Sequence, residues 1–210
     1  PIGYKEDVIE AFTYLPKLVD HVHFPMQSGS DRILKKMRRP YKAQRFIDIC
    51  DRMKEARPDI AISTDIIVGF PGETEEDYLE TRKAVEHVQF DQAYIFRYSK
   101  RKDTPAAEMD EQLPERVKEE RNQDLLALVN DIVAKKNERL VGTTQEVLCE
   151  GPSRYNKERL AGRTRTNRIV IFEGEAERMA GELFDINITE STGYTLYGDP
   201  VMQTSDLVLH

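Results

Sequence analysis

Three short segments carry polar side chains, two of them together with glycine, and each follows an apolar stretch. They are Gln27-Ser28-Gly29-Ser30, Gly69-Phe70-Pro71-Gly72-Glu73 and Tyr98-Ser99. Glycine lets backbone amides approach a ligand closely, and amide and hydroxyl side chains pair with a ribose or an amino-acid group. Taken singly, each of the two glycine loops is better explained as a turn or a helix cap. Together at one edge of a sheet, they indicate a ligand site.

The second segment leads into a helix whose first turn is acidic. The carboxylates are Glu73, Glu75, Glu76 and Asp77. A glycine-rich turn that enters a helix commonly binds phosphate, but four carboxylates at this point would repel one. The sequence therefore predicts a neutral or cationic ligand.

Asp65 interrupts the apolar stretch Ile60–Val68. If it is buried, it must be paired or hydrogen-bonded. It could contact a hydroxyl or ammonium group of a ligand, or hold a neighbouring loop, and the sequence favours neither. His21 and His23 share one face of a strand. Because no third ligand accompanies them, we interpret them as core or rim residues and predict no metal site.

The C-terminal third contains a basic segment that includes a tyrosine. Its candidate RNA-binding residues are Arg154, Lys157, Arg163, Arg165, Asn167 and Arg168. Cations contact phosphates, and Tyr155 could stack on a base. The alternative is an ordinary charged hairpin. On a small β-barrel, the RNA interpretation is favoured.

The net charge of −7 argues mildly against nucleic-acid binding. The basic residues are concentrated, however, in three islands at residues 32–45, 97–102 and 154–168, which hold more than half of the 31. A single run of this kind is usually a solvated surface. Three such islands in an acidic chain favour a composite anion-binding face.

The first part alternates strands with helices. Strands are expected at residues 21–26, 60–68 and 92–98, and helices at 8–15, 31–38, 41–57 and 74–88. Parallel strands joined by helices predict an α/β sheet, and a long helix follows from Pro114. Three strands cannot close a barrel. We expect a partial parallel barrel, with the missing strands upstream of Pro1 rather than on another chain.

From Val141 the apolar period changes to two, and five short strands are expected within residues 144–198. This pattern predicts a small antiparallel OB-like barrel, a fold often used for nucleic acid. The predicted domains are residues 1–140, which include the linking helix 114–140, then residues 141–200 and a loose tail at 201–210.

Cys50 and Cys149 are far apart and form no CxxC pair, so the chain offers no metal motif of its own. No apolar run is long enough to span a membrane, and no signal peptide is evident. We expect a cytoplasmic protein. The oligomeric state stays open, with a monomer expected.

The segments around these loops resemble the radical-SAM methylthiotransferase family. The matching stretches are residues 23–34 (HFPMQSGSDRIL), 64–74 (TDIIVGFPGET), 98–101 and 104–106. Gly142-Thr143 and Gly162-Arg163-Thr164, with Asn167, Val170 and Phe172, resemble its RNA-binding TRAM domain. Within the family, the branch that methylthiolates N6-isopentenyladenosine in tRNA is the most similar.

The resemblance implies the end of a radical-SAM TIM-like barrel followed by a TRAM domain. It also implies S-adenosylmethionine (SAM) and two [4Fe-4S] clusters in the parent enzyme, with the tRNA anticodon stem-loop as partner. The SAM and one cluster would generate a radical that abstracts hydrogen from C2 of the prenylated adenosine. The residues implied to line the SAM pocket are Gln27, Ser28, Ser30, Asp65, Gly69, Pro71, Gly72, Glu73 and Tyr98.

The chain departs from the family pattern in two respects. The CxxxCxxC motif that holds the radical-generating cluster is absent, so we expect this chain alone to be inactive and assign no catalytic residue in it. Asp103 stands where the family usually has glycine, which predicts a different bend after Tyr98. The alternatives are a methylthiotransferase acting on ribosomal protein and a non-enzymatic RNA-binding module.

Overall fold

The structure is a computed structural model and describes residues 6–201. The chain divides into two compact units, Pro1–Ile132 and Val133–His210. The division falls inside the long helix Glu115–Glu138 (α5) and therefore earlier than the predicted boundary after residue 140. The physical reason is Asn137, which is buried and donates to the carbonyl of Gly193 (2.6 Å). Residues 202–210 of the predicted tail lie outside the described residues.

The first unit is an α/β sheet, as the alternation of periods predicts. Its parallel strands lie in the order β1-β2-β3. They are β1 (His21–His23), β2 (Ala61–Val68) and β3 (Gln92–Arg97). The helices are α1 (Glu6–Tyr14), α2 (Asp31–Lys36), α3 (Ala43–Ala56) and α4 (Glu75–Val88), and a 3-10 turn spans Pro105–Glu108.

The helices cover one face of this sheet. Phe46 of α3 packs between Phe24 and Phe90, with ring centroids 6.3 and 6.2 Å apart. On β2, the side chains of Ile62, Thr64, Ile66 and Val68 are fully buried, while Asp65 and Ile67 on the opposite side are only partly covered. The first face of β2 is therefore buried throughout, while the second is buried at Ala61 and Ser63 and partly open from Asp65 onward. We call the second face, which carries His23, Asp65, Tyr94 and Phe96, the open face.

Three polar residues of the first unit lie at helix starts and turns. Thr74 caps α4 in a capping box with Asp77. Ser30 precedes α2 but makes no side-chain cap. Asp103 has a φ of 65°, the left-handed conformation that glycine adopts readily. The different bend expected after Tyr98 stays a prediction, and the structure shows that the aspartate takes a conformation open to glycine.

The second unit contains a closed five-stranded barrel in the order β4-β5-β6-β8-β7. The elements are β4 (Thr144–Pro152), β5 (Leu160–Thr164), β6 (Ile169–Phe172), α6 (Ala176–Met179), β7 (Leu183–Thr192) and β8 (Thr195–Pro200). The predicted OB-like barrel is confirmed. Since β6 and β8 run parallel, it is mixed rather than purely antiparallel.

The barrel core follows the period-two pattern of the sequence. Its fully buried side chains are Val147, Cys149, Leu160, Val170, Phe172, Ile186, Ile188 and Leu196. A Cβ at Gly162 would lie 2.5 Å from the carbonyl oxygen of Leu148. Neighbouring strands are thus packed too tightly at this point for any side chain.

Candidate ligand site and nucleic-acid interface

The loop after β1 is joined to β2 through the backbone of Gln27. The amide of Gln27 donates to the carbonyl of Asp65 (2.8 Å), and the amide of Ile67 donates to the carbonyl of Gln27 (2.9 Å). Gln27 itself has a φ of 68°. These bonds fix residues 27–30 at the carboxyl end of β2, the edge at which barrel folds of this kind bind ligands. The first two glycine segments thus come together as predicted.

The polar side chains of this loop nevertheless point into the protein. The Oγ of Ser28 lies 3.3 Å from that of Thr81, and the Oγ of Ser30 donates to Asp77 (2.6 Å). The amide oxygen of Gln27 accepts from Arg39 (3.1 Å). All three are buried. Their hydrogen bonds attach the loop to its own unit, which is the turn-like role that the sequence left open.

The glycines of both loops approach protein rather than leaving their amides free. A Cβ at Gly29 would lie 2.5 Å from the Cα of Thr81 in α4. The amide of Gly69 donates to the carboxylate of Glu73 (2.7 Å), and that of Gly72 donates to the carbonyl of Glu111 (2.7 Å). The amides of Gly69 and Gly72 are therefore hydrogen-bonded within the protein, and contact of these glycines with a ligand stays a prediction. Pro71 is also buried in this turn.

The acidic residues of the second loop are neutralised by arginines. Glu73 is buried and accepts from Arg121 of α5 (2.7 Å), which also contacts Glu75 (3.1 Å). Burial raises the pKa of Glu73, while hydrogen bonds from Gly69 and Arg121 act against that shift. Two of the four carboxylates therefore face Arg121, and the neutral or cationic ligand stays a prediction.

Asp77 is the third carboxylate of this segment that pairs with an arginine. It pairs with Arg32 and accepts from Ser30 and from the backbone of Thr74. Burial disfavours its charged form, but these hydrogen bonds outweigh that cost and hold the pKa of Asp77 well below its usual range. Asp77 therefore organises the start of α4 instead of facing a ligand.

A chain of hydrogen bonds runs across the open face. The Oγ of Ser63 lies 3.0 Å from His21 Nε2 and 2.9 Å from His23 Nδ1, and His23 Nε2 lies 3.4 Å from Asp65 Oδ2. An ionised carboxylate can only accept, so His23 Nε2 donates to Asp65 and its Nδ1 accepts from Ser63. Ser63 has one hydroxyl hydrogen, and His21 Nε2 must then donate to it. The four residues form one directed chain that ends at Asp65.

Asp65 is the predicted pocket residue that the structure leaves accessible. Its side chain is 30% exposed, and the exposed rings of Tyr94 (47%) and Phe96 (53%) flank it on β3. The sequence left open whether Asp65 contacts a ligand or holds a neighbouring group. The structure is compatible with both roles, because Asp65 pairs with His23 and its side chain remains partly exposed. Sequence analysis missed Ser63, which lies in an apolar strand and has no motif to mark it.

Tyr98, the remaining predicted pocket residue, packs edge-to-face on Phe70 with centroids 5.2 Å apart. The ammonium of Lys118 lies 5.6 Å from its ring centre. Its hydroxyl is buried and makes no hydrogen bond within the described residues. Such a group costs free energy unless a partner is bound, which keeps Tyr98 among the candidates.

The described residues offer no set of His, Cys, Asp and Glu side chains that could hold a metal ion. Cys50 and Cys149 are free and buried in different units, and burial raises the pKa of Cys50 to about 12. A buried thiol with a raised pKa is a poor metal ligand. The cysteines of residues 6–201 therefore do not fit an iron-sulfur cluster.

No helix in the described part of the chain is long and apolar enough to cross a membrane.

In the second unit, the predicted RNA-binding residues fall into two groups. Arg154, Tyr155 and Lys157 lie exposed in the loop between β4 and β5, and Tyr155 is 94% exposed. Arg163 and Arg165 contact Glu150 (3.5 Å) and Glu146 (3.4 Å). Partly exposed ion pairs of this kind are weak, so both arginines can exchange these partners for phosphates.

Arg168 and Asn167 have structural contacts. Arg168 donates through Nε to the buried Asn137 (2.7 Å) and through Nη1 to Thr166 (2.6 Å). Asn167 adopts a φ of 63°, and its carbonyl accepts from Arg163 (3.2 Å). These two residues shape the β5–β6 turn, and the sequence could not separate this role from RNA contact.

Comparison with known proteins identifies the class of each unit. Residues 1–85 match the radical SAM superfamily, and residues 138–201 match the TRAM domain. Among solved structures, the chain resembles coproporphyrinogen III oxidase (HemN) from Escherichia coli, described as a radical SAM enzyme. The TM-score is 0.51 at 12% identity, over 97% of this chain and 50% of that one. This likeness concerns the fold alone. The chain joins a radical SAM segment to a TRAM domain.

The similar curated proteins are more specific. A tRNA-2-methylthio-N(6)-dimethylallyladenosine synthase from Akkermansia muciniphila is 66% identical over 95% of this chain and 43% of the relative. A protein of the same name from Methylacidiphilum infernorum is 48% identical over 100% of this chain and 44% of the relative. The resemblance to the radical-SAM methylthiotransferases is thereby confirmed. The chain spans less than half the length of these relatives.

Proposed function

We propose that the protein containing this chain is a tRNA methylthiotransferase, which converts N6-isopentenyladenosine beside the anticodon to its 2-methylthio derivative. The observation that carries the proposal is the 66% identity to a synthase of this name over 95% of the chain, across both units. The names of the relatives favour tRNA over a ribosomal protein as substrate.

The described residues would hold SAM at the open face. Asp65 offers a carboxylate to a ribose hydroxyl or to the ammonium group, and Tyr94 and Phe96 offer apolar rings beside it. Together with an iron-sulfur cluster, SAM supplies a carbon-centred radical in this class of enzyme. The ligands of both expected clusters would lie outside residues 6–201, because Cys50 and Cys149 are buried singly.

The second unit would bind the anticodon stem-loop. The exposed loop with Arg154, Tyr155 and Lys157 provides two cations and a ring for stacking on an unpaired base. Replacing all three with alanine should weaken RNA binding and reduce its salt dependence by about 0.7 to 0.9 log unit per lost phosphate contact. Arg168→Ala should instead lower the thermal stability of the barrel, because it removes the bond to Asn137.

The activity is tested with the complete protein after reconstitution of its clusters. It is incubated with tRNA that carries N6-isopentenyladenosine, and the digested nucleosides are analysed by mass spectrometry. A 2-methylthio product that disappears in Asp65→Asn supports the proposal. Unmodified tRNA with methylthiolated ribosomal protein would favour the alternative substrate. RNA binding without any product, in a protein that lacks a three-cysteine motif, would favour a non-enzymatic module.

A further inference from the structure

A basic groove of about 800 Å³ lies between the end of α2 and the start of α3. Its lining includes five cationic residues, Arg32, Lys35, Arg39, Lys42 and Arg45, and two acidic ones, Asp31 and Asp48. This is the first of the three basic islands in the sequence. The structure brings five of the seven cations of this island to one surface.

Both acidic residues of the groove are engaged locally. Asp31 accepts a hydrogen bond from the amide of Ala43 (2.8 Å), and Asp48 accepts from the side chain of Gln44 (2.8 Å). Two cations are also engaged, since Arg32 pairs with Asp77 and Arg39 donates to Gln27. The exposed side chains of Lys35, Lys42 and Arg45 leave a net positive charge in the groove.

The stability of α3 does not explain why basic residues lie at its start. Lys42 and Arg45 lie at the start of α3, where the first turn contains no acidic residue. Basic side chains are unfavourable at this end of a helix because they oppose its dipole. Residues that destabilise the local structure, with no other contact to offset the cost, are commonly functional.

The groove adjoins the loop that carries Gln27. Arg39 reaches the Gln27 side chain (3.1 Å), and the hydroxyl of Tyr41 donates to the carbonyls of Pro25 (3.2 Å) and Met26 (3.1 Å). An anion in the groove would therefore lie beside the carboxyl ends of the strands, where the ligand site is proposed.

We propose that this groove binds the phosphate backbone of the RNA substrate, through Lys35, Lys42 and Arg45. It is a second RNA contact, separate from the TRAM domain, and it holds the nucleic acid next to the reacting edge of the sheet. The inference rests on the proposed RNA substrate. Phosphodiesters are the expected ligand because three exposed cations on one surface favour a polyanion, and a nucleic-acid backbone carries one negative charge per phosphate.

The test compares two triple variants of equal charge change. Lys35→Glu/Lys42→Glu/Arg45→Glu alters the groove, and Lys17→Glu/Lys83→Glu/Arg116→Glu alters exposed cations elsewhere in the same unit. Binding of a labelled RNA hairpin is followed by fluorescence anisotropy over a series of salt concentrations. Circular dichroism verifies that both variants are folded.

The groove variant should bind RNA at least about 10-fold more weakly, with a salt slope reduced by about 2, since each phosphate contact contributes about 0.7 to 0.9. The control variant should keep the wild-type slope. Equal slopes for the two variants would overturn the groove assignment while leaving the proposed function intact. Competition by millimolar inorganic phosphate at constant ionic strength would assign the groove to a small anion instead. A wild-type chain that does not bind RNA would remove both proposals.

Discussion

The guanidinium of Arg121 lies 2.7 Å from the carboxylate of Glu73, and the two side chains are only 8% and 1% exposed. This pair joins α5 to the glycine-rich turn after β2. We expect Arg121→Met to lower the free energy of unfolding by about 3 to 5 kcal/mol, because it leaves a buried charge uncompensated. Urea unfolding at neutral pH measures the change.

Two controls separate the charge pair from general damage to α5. Arg121→Met/Glu73→Gln should be more stable than Arg121→Met alone, because no buried charge is left unpaired. Arg116→Met, whose guanidinium is 85% exposed near Glu120, should cost about 0.5 kcal/mol or less. Equal losses for Arg116→Met and Arg121→Met would contradict the role of the buried pair.

Gly29 should not tolerate a side chain. A Cβ there would lie 2.5 Å from the Cα of Thr81 and 2.7 Å from the carbonyl oxygen of Glu80, both backbone atoms of α4. We expect Gly29→Ala to destabilise the first unit by about 1 to 3 kcal/mol, since a rigid helix must move. Gly193→Ala is the control, because no heavy atom lies within 4 Å and the cost is that of its positive φ alone. Thermal unfolding would disprove the packing argument if Gly29→Ala melted like the wild type.

Asp77 makes the free energy of unfolding depend on pH. Because its folded pKa is depressed, its contribution is present above the ordinary carboxyl value of about 4 and is lost as the pH falls toward the folded pKa. The free energy of unfolding of the wild type should therefore fall more steeply below about pH 4 than that of Asp77→Asn. Glu73 acts in the opposite direction, since its pKa is raised. Both proteins retain Glu73, so their difference isolates Asp77, and parallel pH profiles would refute the assignment.

The chain of hydrogen bonds that ends at Asp65 predicts the tautomers of two histidines. With neutral rings, His21 and His23 should both carry hydrogen on Nε2, and nitrogen-15 NMR of the imidazoles reports this directly. Ser63→Ala removes the hydroxyl that accepts from His21 Nε2, so the preference of His21 for this tautomer should weaken, while Asp65 keeps the hydrogen of His23 on Nε2. The same variant should weaken SAM binding if His23 orients Asp65. Ser99→Ala alters an exposed serine and serves as control, and hydrogen on Nδ1 of His23 in the wild type would rule out this direction of the chain.

Much of the fold could be predicted from local patterns. The change of apolar period from helical to two near residue 141 reflects which side chains must be buried, and it located all five barrel strands. The helix expected at residues 74–88 was likewise found, as α4 (Glu75–Val88). Motifs of this length also predicted the radical SAM and TRAM classes that the comparisons confirm.

The partners of the polar side chains were decided by the tertiary structure. Glu73 and Arg121 are 48 residues apart, and Ser30 and Asp77 are 47 apart, so no local pattern could show that these groups neutralise or bind each other. Sequence alone placed the serines and acids at the correct edge of the sheet but could not tell an inward side chain from one that faces a ligand. That distinction depends on which helix packs over the loop, because a buried polar group takes whichever partner the packing brings within reach.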